Sequence, residues 1–256
     1  MIARISAAAL AALLALAVGP ASAAETRLAA SAAPPQLTIY HIEGRRSERL
    51  VWLCEELGLP YKLEFKKGDV PGSMQTIRQV SPLMPVAPTV RYGDQVMVES
   101  GAIIELLLDR HAKGKLAPAV DSPDYLSYLQ WMHFAEGSAA SRFIADYRVA
   151  TIQGRPKPNA QGFRFVDSDA VLKFADDFLS RNAYFGGKEF SAADIMMLFP
   201  VNLAGALNIV ELSAYPNVVA WRQKVESRPA YKKMVEVARP NGVPMPPPAL
   251  PKAQTG

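Results

Sequence analysis

The chain has 256 residues, room for one large domain or two ordinary ones, and its half-apolar, one-fifth-charged composition excludes disorder, collagen and low complexity. A net charge of +4 without any basic block gives no support to nucleic-acid binding. The single cysteine, Cys54, excludes an intrachain disulfide, a Cys-based zinc cluster and a CxxC redox pair, and three scattered histidines (His41, His111, His133) argue against a metal site, so no metal is expected.

The first residues carry Arg4, an apolar run over 7–18, the breaker Gly19-Pro20 and the small triplet Ala21-Ser22-Ala23. This three-part order reads as a secretory signal peptide over 1–23, cut after Ala23, and predicts a periplasmic or secreted protein. The alternative is an extension from a wrongly chosen start codon on a cytoplasmic protein. The apolar run is well short of the ~20 residues that span a bilayer, so no membrane span is expected in the mature chain. Residues 24–35, Ala-rich and ending Pro34-Pro35, read as a flexible lead-in, and 240–256, with five prolines from Pro244 to Pro251, as an extended tail.

From Leu37 the pattern alternates between two periods. Leu37 to His41 is β-branched and aromatic, a strand. Leu50, Leu53, Cys54 and Leu57 fall at helical spacing and Gly58 stops them. Tyr61, Leu63 and Phe65 return to alternation. Pro71 opens a helix carrying Met74, Ile77 and Val80. Thr89 to Tyr92 and Val96 to Val98 flank a Gly93-Asp94 turn, the mark of a hairpin. Ser100 starts an apolar helix ending at Arg110-His111. The order β-α-β-α-β-β-α over 36–115 predicts an α/β thioredoxin-like N-terminal domain.

No strand is predicted beyond Ala119. Ser122-Pro123 reads as the start of a helix that carries Leu126, Leu129, Met132 and Phe134 and runs to Tyr147. Residues 154–162 read as a loop. Val171, Phe174, Phe178 and Leu179 make one helical stripe. Ser191 followed by Asp194 is a capping box for the apolar run after Ile195, with Phe190 placed to staple to Ile195. Helices at 216–227 and 229–239 finish an all-α helical C-terminal domain over 120–239.

Five segments then resemble the glutathione S-transferase family. Arg46-Ser-Glu-Arg-Leu-Val-Trp-Leu-Cys-Glu-Glu-Leu-Gly-Leu-Pro-Tyr61 is similar to its first helix and exit. Ser81-Pro82-Leu83 through Ala87-Pro88-Thr89-Val90 is similar to its cis-proline loop, and Val98-Glu99-Ser100-Gly101 to its Glu-Ser motif. Phe190-Ser-Ala-Ala-Asp-Ile195 and Arg228-Pro-Ala-Tyr231 resemble the landmarks of its helical domain. The match covers about residues 37–235, and the motifs stand in family order.

The resemblance implies glutathione as co-substrate, a small and hydrophobic electrophile as second partner, a homodimer, and thiolate attack on an electrophilic carbon, as in detoxification. By that likeness Ser100, with the free amides of its helix turn, holds the γ-glutamyl carboxylate, and Glu99 suits the ammonium. Read locally, Ser100 is equally a helix cap. Ala87, before a cis Pro88, pairs its backbone with the cysteinyl unit. The chain departs from the family in having Met84-Pro85-Val86 where a Gly and a Lys or Gln are usual, which leaves Lys66, Lys67 or Arg45 for the glycyl carboxylate. A free thiol has a pKa near ~8.5 and needs help to ionise. The serine and cysteine classes keep their donor near Gly44-Arg45, where this chain has neither. The tyrosine classes point to Tyr40, with Ser47 as second candidate and Arg45 or Arg46 as electrostatic support. Cys54 reads as a buried structural residue. Tyr128, Trp131 and Met132 are the candidates for a second-substrate pocket between the domains. Two alternatives remain on the same scaffold: a glutathione-dependent disulfide reductase or dehalogenase, and a non-catalytic glutathione-binding protein.

Overall fold

Leu37 and Ile39 project to one face of the strand β1 (Leu37–Tyr40), and that face is fully buried. The computed structural model describes residues 37–153 and 167–242, all within one compact unit. The signal segment over 1–23, the lead-in over 24–35, the loop over 154–162 and nearly all of the proline-rich tail lie outside the described residues.

β1 pairs parallel with β2 (Lys62–Glu64) and antiparallel with β3 (Thr89–Tyr92), which pairs antiparallel with β4 (Gln95–Met97). The sheet order is β2-β1-β3-β4, a mixed sheet as the sequence predicts. Ile39 sits opposite both Leu63 and Val90. Helix α1 (Glu48–Leu57) covers this face and ends at Gly58, which takes a left-handed φ of 64° that a side chain would resist. Helix α2 (Val70–Val80) starts at Asp69, whose side chain accepts from the Gly72 amide. Helix α3 (Ser100–Leu107) runs into a π-helical turn, Leu108–Ala112. There His111 Nε2 meets the Tyr92 hydroxyl at 2.9 Å.

The second half has helices and no named strand among its described residues, with one isolated bridge between Tyr184 and Gly187. Helix α4 (Tyr125–Phe134) begins two residues after Pro123, and the Ser122 hydroxyl accepts from the Asp124 amide. A π-helical stretch, Ala135–Ala140, joins it to α5 (Ser141–Gln153), so the helical run passes the predicted end at Tyr147. Helices α6 (Ser168–Leu179), α7 (Ala192–Ala206), α8 (Pro216–Glu226) and α9 (Pro229–Ala238) follow. The capping box at Ser191 and Asp194 is present in both directions.

Helix α1 packs on α3, α7 and α9, so the helical half shares its core with the sheet. Trp52 places its ring 5.1 Å from Tyr231 and 5.5 Å from Phe190. Beside it Arg228 grips Glu56 through both carboxylate oxygens, at 2.6 and 2.8 Å. Cys54 is buried in the same core, and burial pushes its thiol up to about 12, which removes it as a nucleophile. No described helix is long and apolar enough to cross a membrane, and no group of three or more His, Cys, Asp or Glu among the described residues is placed to hold a metal ion.

Candidate active site

The turn after β1 has to bring the chain back over the sheet into α1. Gly44 turns it with a φ of 69°. Its amide donates to Glu48 Oε1 at 2.7 Å, and Arg239 at the end of α9 holds that same carboxylate through both oxygens, by Nε at 2.6 Å and by Nη2. Two buried residues close the turn from below. The Ser47 hydroxyl lies 2.8 Å from His41 Nδ1 and accepts from the Ile42 amide at 3.2 Å. His41 Nε2 donates to the Ala238 carbonyl at 2.8 Å, so Nδ1 accepts from Ser47.

Burial pushes the His41 imidazole below its ordinary value, and the Ala238 hydrogen bond offsets part of that. The folded pKa lies below the unfolded 6.5, so the unfolded chain binds the proton first. The stability tied to neutral His41 is present above 6.5 and lost as pH falls through the lowered folded value. Denaturant melts from pH ~7 down to ~5 are expected to show a steeper loss in the wild type than in His41→Gln. Parallel slopes would remove His41 as the source.

Above the turn lies a cavity of about 780 Å³, within the range of small-molecule sites. Gly44, Arg45, Arg46 and Arg49 line one wall. Helices α5 and α7 form the other with Ile144, Tyr147, Arg148, Leu198, Phe199 and Leu203, and α8 and α9 close the end.

Arg49 is the hub of this wall, with its side chain only 2% exposed. Its Nη1 donates to Ser100 Oγ at 2.9 Å and to Glu136 Oε1 at 2.5 Å, and its Nη2 donates to the Met196 carbonyl at 2.6 Å. Burial lowers its pKa to about 10, still charged at neutral pH. Arg46 Nε also reaches Glu136 Oε1, at 2.8 Å. Burial alone would raise the Glu136 carboxyl; the two guanidiniums outweigh it and hold the group below its ordinary value. Both guanidiniums lie over the Phe199 ring, 4.7 and 5.2 Å from its centre. Glu136 belongs to the π-helical stretch, where the widened turn sets it towards α1.

Residues 39–115 match the glutathione S-transferase N-terminal domain, and residues 165–229 match the glutathione S-transferase C-terminal domain. Glutathione S-transferase theta-3 of Mus musculus is 30% identical over 183 residues, 66% of this chain and 73% of its own length. The chain belongs to the glutathione S-transferase family. Glutathione S-transferase 3 of Schizosaccharomyces pombe is 27% identical over 218 residues, 80% of this chain and 89% of its own. The crystal structure of a glutathione S-transferase from Actinobacillus pleuropneumoniae superposes with a TM-score of 0.67 at 26% identity, covering 79% of this chain and 93% of that one. Family membership supports glutathione conjugation as the reaction class.

On this glutathione S-transferase scaffold the predicted site residues separate. Arg45 and Arg46 line the cavity. The Ala87–Pro88 peptide is cis, and Glu99 takes a φ of 72°, a backbone cost of about 1–3 kcal/mol in a residue with a side chain. Glu99 is exposed and Ser100 is buried at the first turn of α3, its hydroxyl held by Arg49. Ala87, Pro88, Glu99 and Ser100 do not line the cavity; Arg49 is the link from Ser100 to it.

Five more of the predicted residues lie away from the cavity wall. Tyr40 stands on the face of β1 opposite Ile39, outside both the core cluster and the cavity lining, because strand side chains alternate. Ser47 is fully buried with its hydroxyl already engaged, so it closes the turn and does not face the cavity. Trp131 lies among the rings of Phe134, Phe174, Phe178 and Phe185, at 4.5 to 5.2 Å, and its indole nitrogen has no hydrogen-bond partner among the described residues. Tyr128 and Met132 are buried beside it. These three fill the core, and α5 and α7 supply the cavity wall in their place. Sequence reasoning missed Arg49, Glu136, Arg148 and Phe199. Arg49 follows Arg46 by three residues, a helical spacing that puts both on one face.

Proposed function

We propose that the protein is a glutathione transferase whose cavity takes a small electrophile and whose α1 turn presents Arg45 and Arg46 to the glutathione sulfur. The observation that carries this is the set of arginines lining an apolar cavity, one of which, Arg49, holds the Ser100 hydroxyl. Glutathione would lie along Ala87 and Pro88 with its γ-glutamyl end at Glu99 and Ser100, whose first-turn amides favour an anion. Arg46 already shares Glu136, whereas Arg45 has no carboxylate within ion-pair distance among the described residues. Arg45 is therefore the cation left to stabilise a thiolate. The thiol proton passes to solvent, the sulfur forms a bond to the electrophilic carbon, and the leaving group departs with its electron pair.

The test is a glutathione titration of the full chain by calorimetry, with ultraviolet absorbance of the bound thiolate followed against pH. Bound glutathione is expected to ionise below its free value near ~8.5. Arg45→Ala should raise the bound pKa by roughly one unit, about 1.4 kcal/mol, and Tyr40→Phe should leave it in place. A fall of the thiolate signal in Tyr40→Phe but not in Arg45→Ala would overturn this assignment. The engaged Ser47 hydroxyl and the lack of any hydroxyl at Gly44-Arg45 favour one second reading, a glutathione-binding protein without turnover. Binding heat with no conjugation of any electrophile in a panel would decide for it.

A further inference from the structure

The charges around the cavity do not balance. Six arginines line it: Arg45, Arg46, Arg49, Arg148, Arg222 and Arg239. Three carboxylates answer them. Glu136 takes Arg46 and Arg49, Glu48 takes Arg239, and Glu226 takes Arg222. Arg45 and Arg148 have no carboxylate within ion-pair distance among the described residues. Glutathione on the reading above accounts for Arg45. It does not account for Arg148, which stands on α5 one turn beyond Ile144, on the wall facing α1.

We infer that the second substrate of this cavity is an amphipathic organic anion, with an apolar, preferably aromatic body and one carboxylate or sulfonate that Arg148 receives. The inference rests on the transferase reading only in taking that anion to be the electrophile. The apolar part has Ile144, Leu198, Leu203 and the Phe199 ring to lie against. A guanidinium suits the anionic end because its planar fork meets two oxygens at once. A cleft lined by one sign of charge over apolar walls also concentrates counter-ions, so unpaired cations here select for charge even before contact. Arg148 is exposed at the cavity edge, so a neutral electrophile of the same shape would leave its guanidinium to water, whereas an anion gains a direct ion pair there.

The experiment is calorimetric titration of the full chain with dinitrobenzoate and with dinitrobenzene, which share a ring and differ in the carboxylate, in the presence and absence of saturating glutathione. Dinitrobenzoate is expected to bind about tenfold more tightly, with a preference that shrinks as salt is raised. Arg148→Gln should bring the two ligands within about twofold, and Arg148→Lys should keep most of the preference, since it keeps the charge. Equal binding of the two ligands to the wild type would overturn the inference, and so would displacement of dinitrobenzoate by glutathione, which would assign the cations to the tripeptide. Glutathione titrated alone separates the two readings. Its binding without a carboxylate preference sinks only the anion inference. A carboxylate preference without glutathione binding supports the anionic cavity and sinks the transferase reading.

Discussion

Arg49→Ala is expected to cost about 3–5 kcal/mol of stability, because it takes one partner out of a buried ionic network. For a chain of this size each kcal/mol moves the midpoint by ~2–4 °C, so a fall of roughly 6–20 °C should appear in thermal melts followed by circular dichroism. The reasons lie in what is left behind. The Met196 carbonyl and the Ser100 hydroxyl lose their donor inside the core. Glu136 keeps only Arg46, and the wall of the cavity gains a void. Arg49→Met separates the two contributions, since it refills the volume without restoring the hydrogen bonds. It should recover part of the loss and no more. On the transferase reading, glutathione affinity falls in both variants, because Ser100 is no longer held at the first turn of α3. A midpoint within ~2 °C of the wild type in Arg49→Ala would show that the network contributes little.

The sequence carried this region's architecture and only part of its chemistry. The strand–helix alternation was legible because the period changes from two to about 3.6 at Ser47, and Gly58 and the Ser191-Asp194 box mark ends by purely local chemistry. The face of α4 was not legible. Its residues are apolar nearly all round, so periodicity did not decide between Leu126, which is 78% exposed, and Tyr128, Trp131 and Met132, which are buried. Nor does Ala135–Ala140, a run of small residues with one glutamate, announce a π-helical widening, yet that widening sets Glu136 against two arginines. Arg49 reads as a surface helix residue until partners 51, 87 and 147 residues away in sequence are placed around it. Tyr40 is the opposite case. The alternation of Leu37, Thr38, Ile39 and Tyr40 already puts Tyr40 on the far face from Ile39, against what the likeness to the tyrosine classes implies.

The Asp194 carboxylate is the other position where one side chain holds several elements together. Oδ1 accepts from the Phe185 amide at 2.9 Å and from the Trp221 indole at 2.8 Å; Oδ2 accepts from the Ser191 amide at 2.9 Å and its hydroxyl at 3.3 Å. It thereby joins the turn before α7, the cap of α7 and the face of α8. Asp194→Ala leaves three buried N–H donors without acceptors, at about 1–3 kcal/mol each, so a loss of roughly 3–9 kcal/mol is expected from urea unfolding. Asp194→Asn is expected to lose about half of that, because its amide oxygen still serves Phe185 and Trp221 while its NH2 meets the Ser191 amide donor to donor. The charge gives a further handle. Burial pushes the carboxyl up to about 6, against four donors that pull it down. The folded value then lies above the unfolded 3.8, so this group's stabilising contribution is fullest below 3.8 and declines as pH rises through about 6. Asparagine does not titrate, so the advantage of the wild type over Asp194→Asn should widen as pH is lowered from ~7 to ~4. An advantage that narrows over that range would mean the four donors outweigh burial and the carboxylate is ionised throughout.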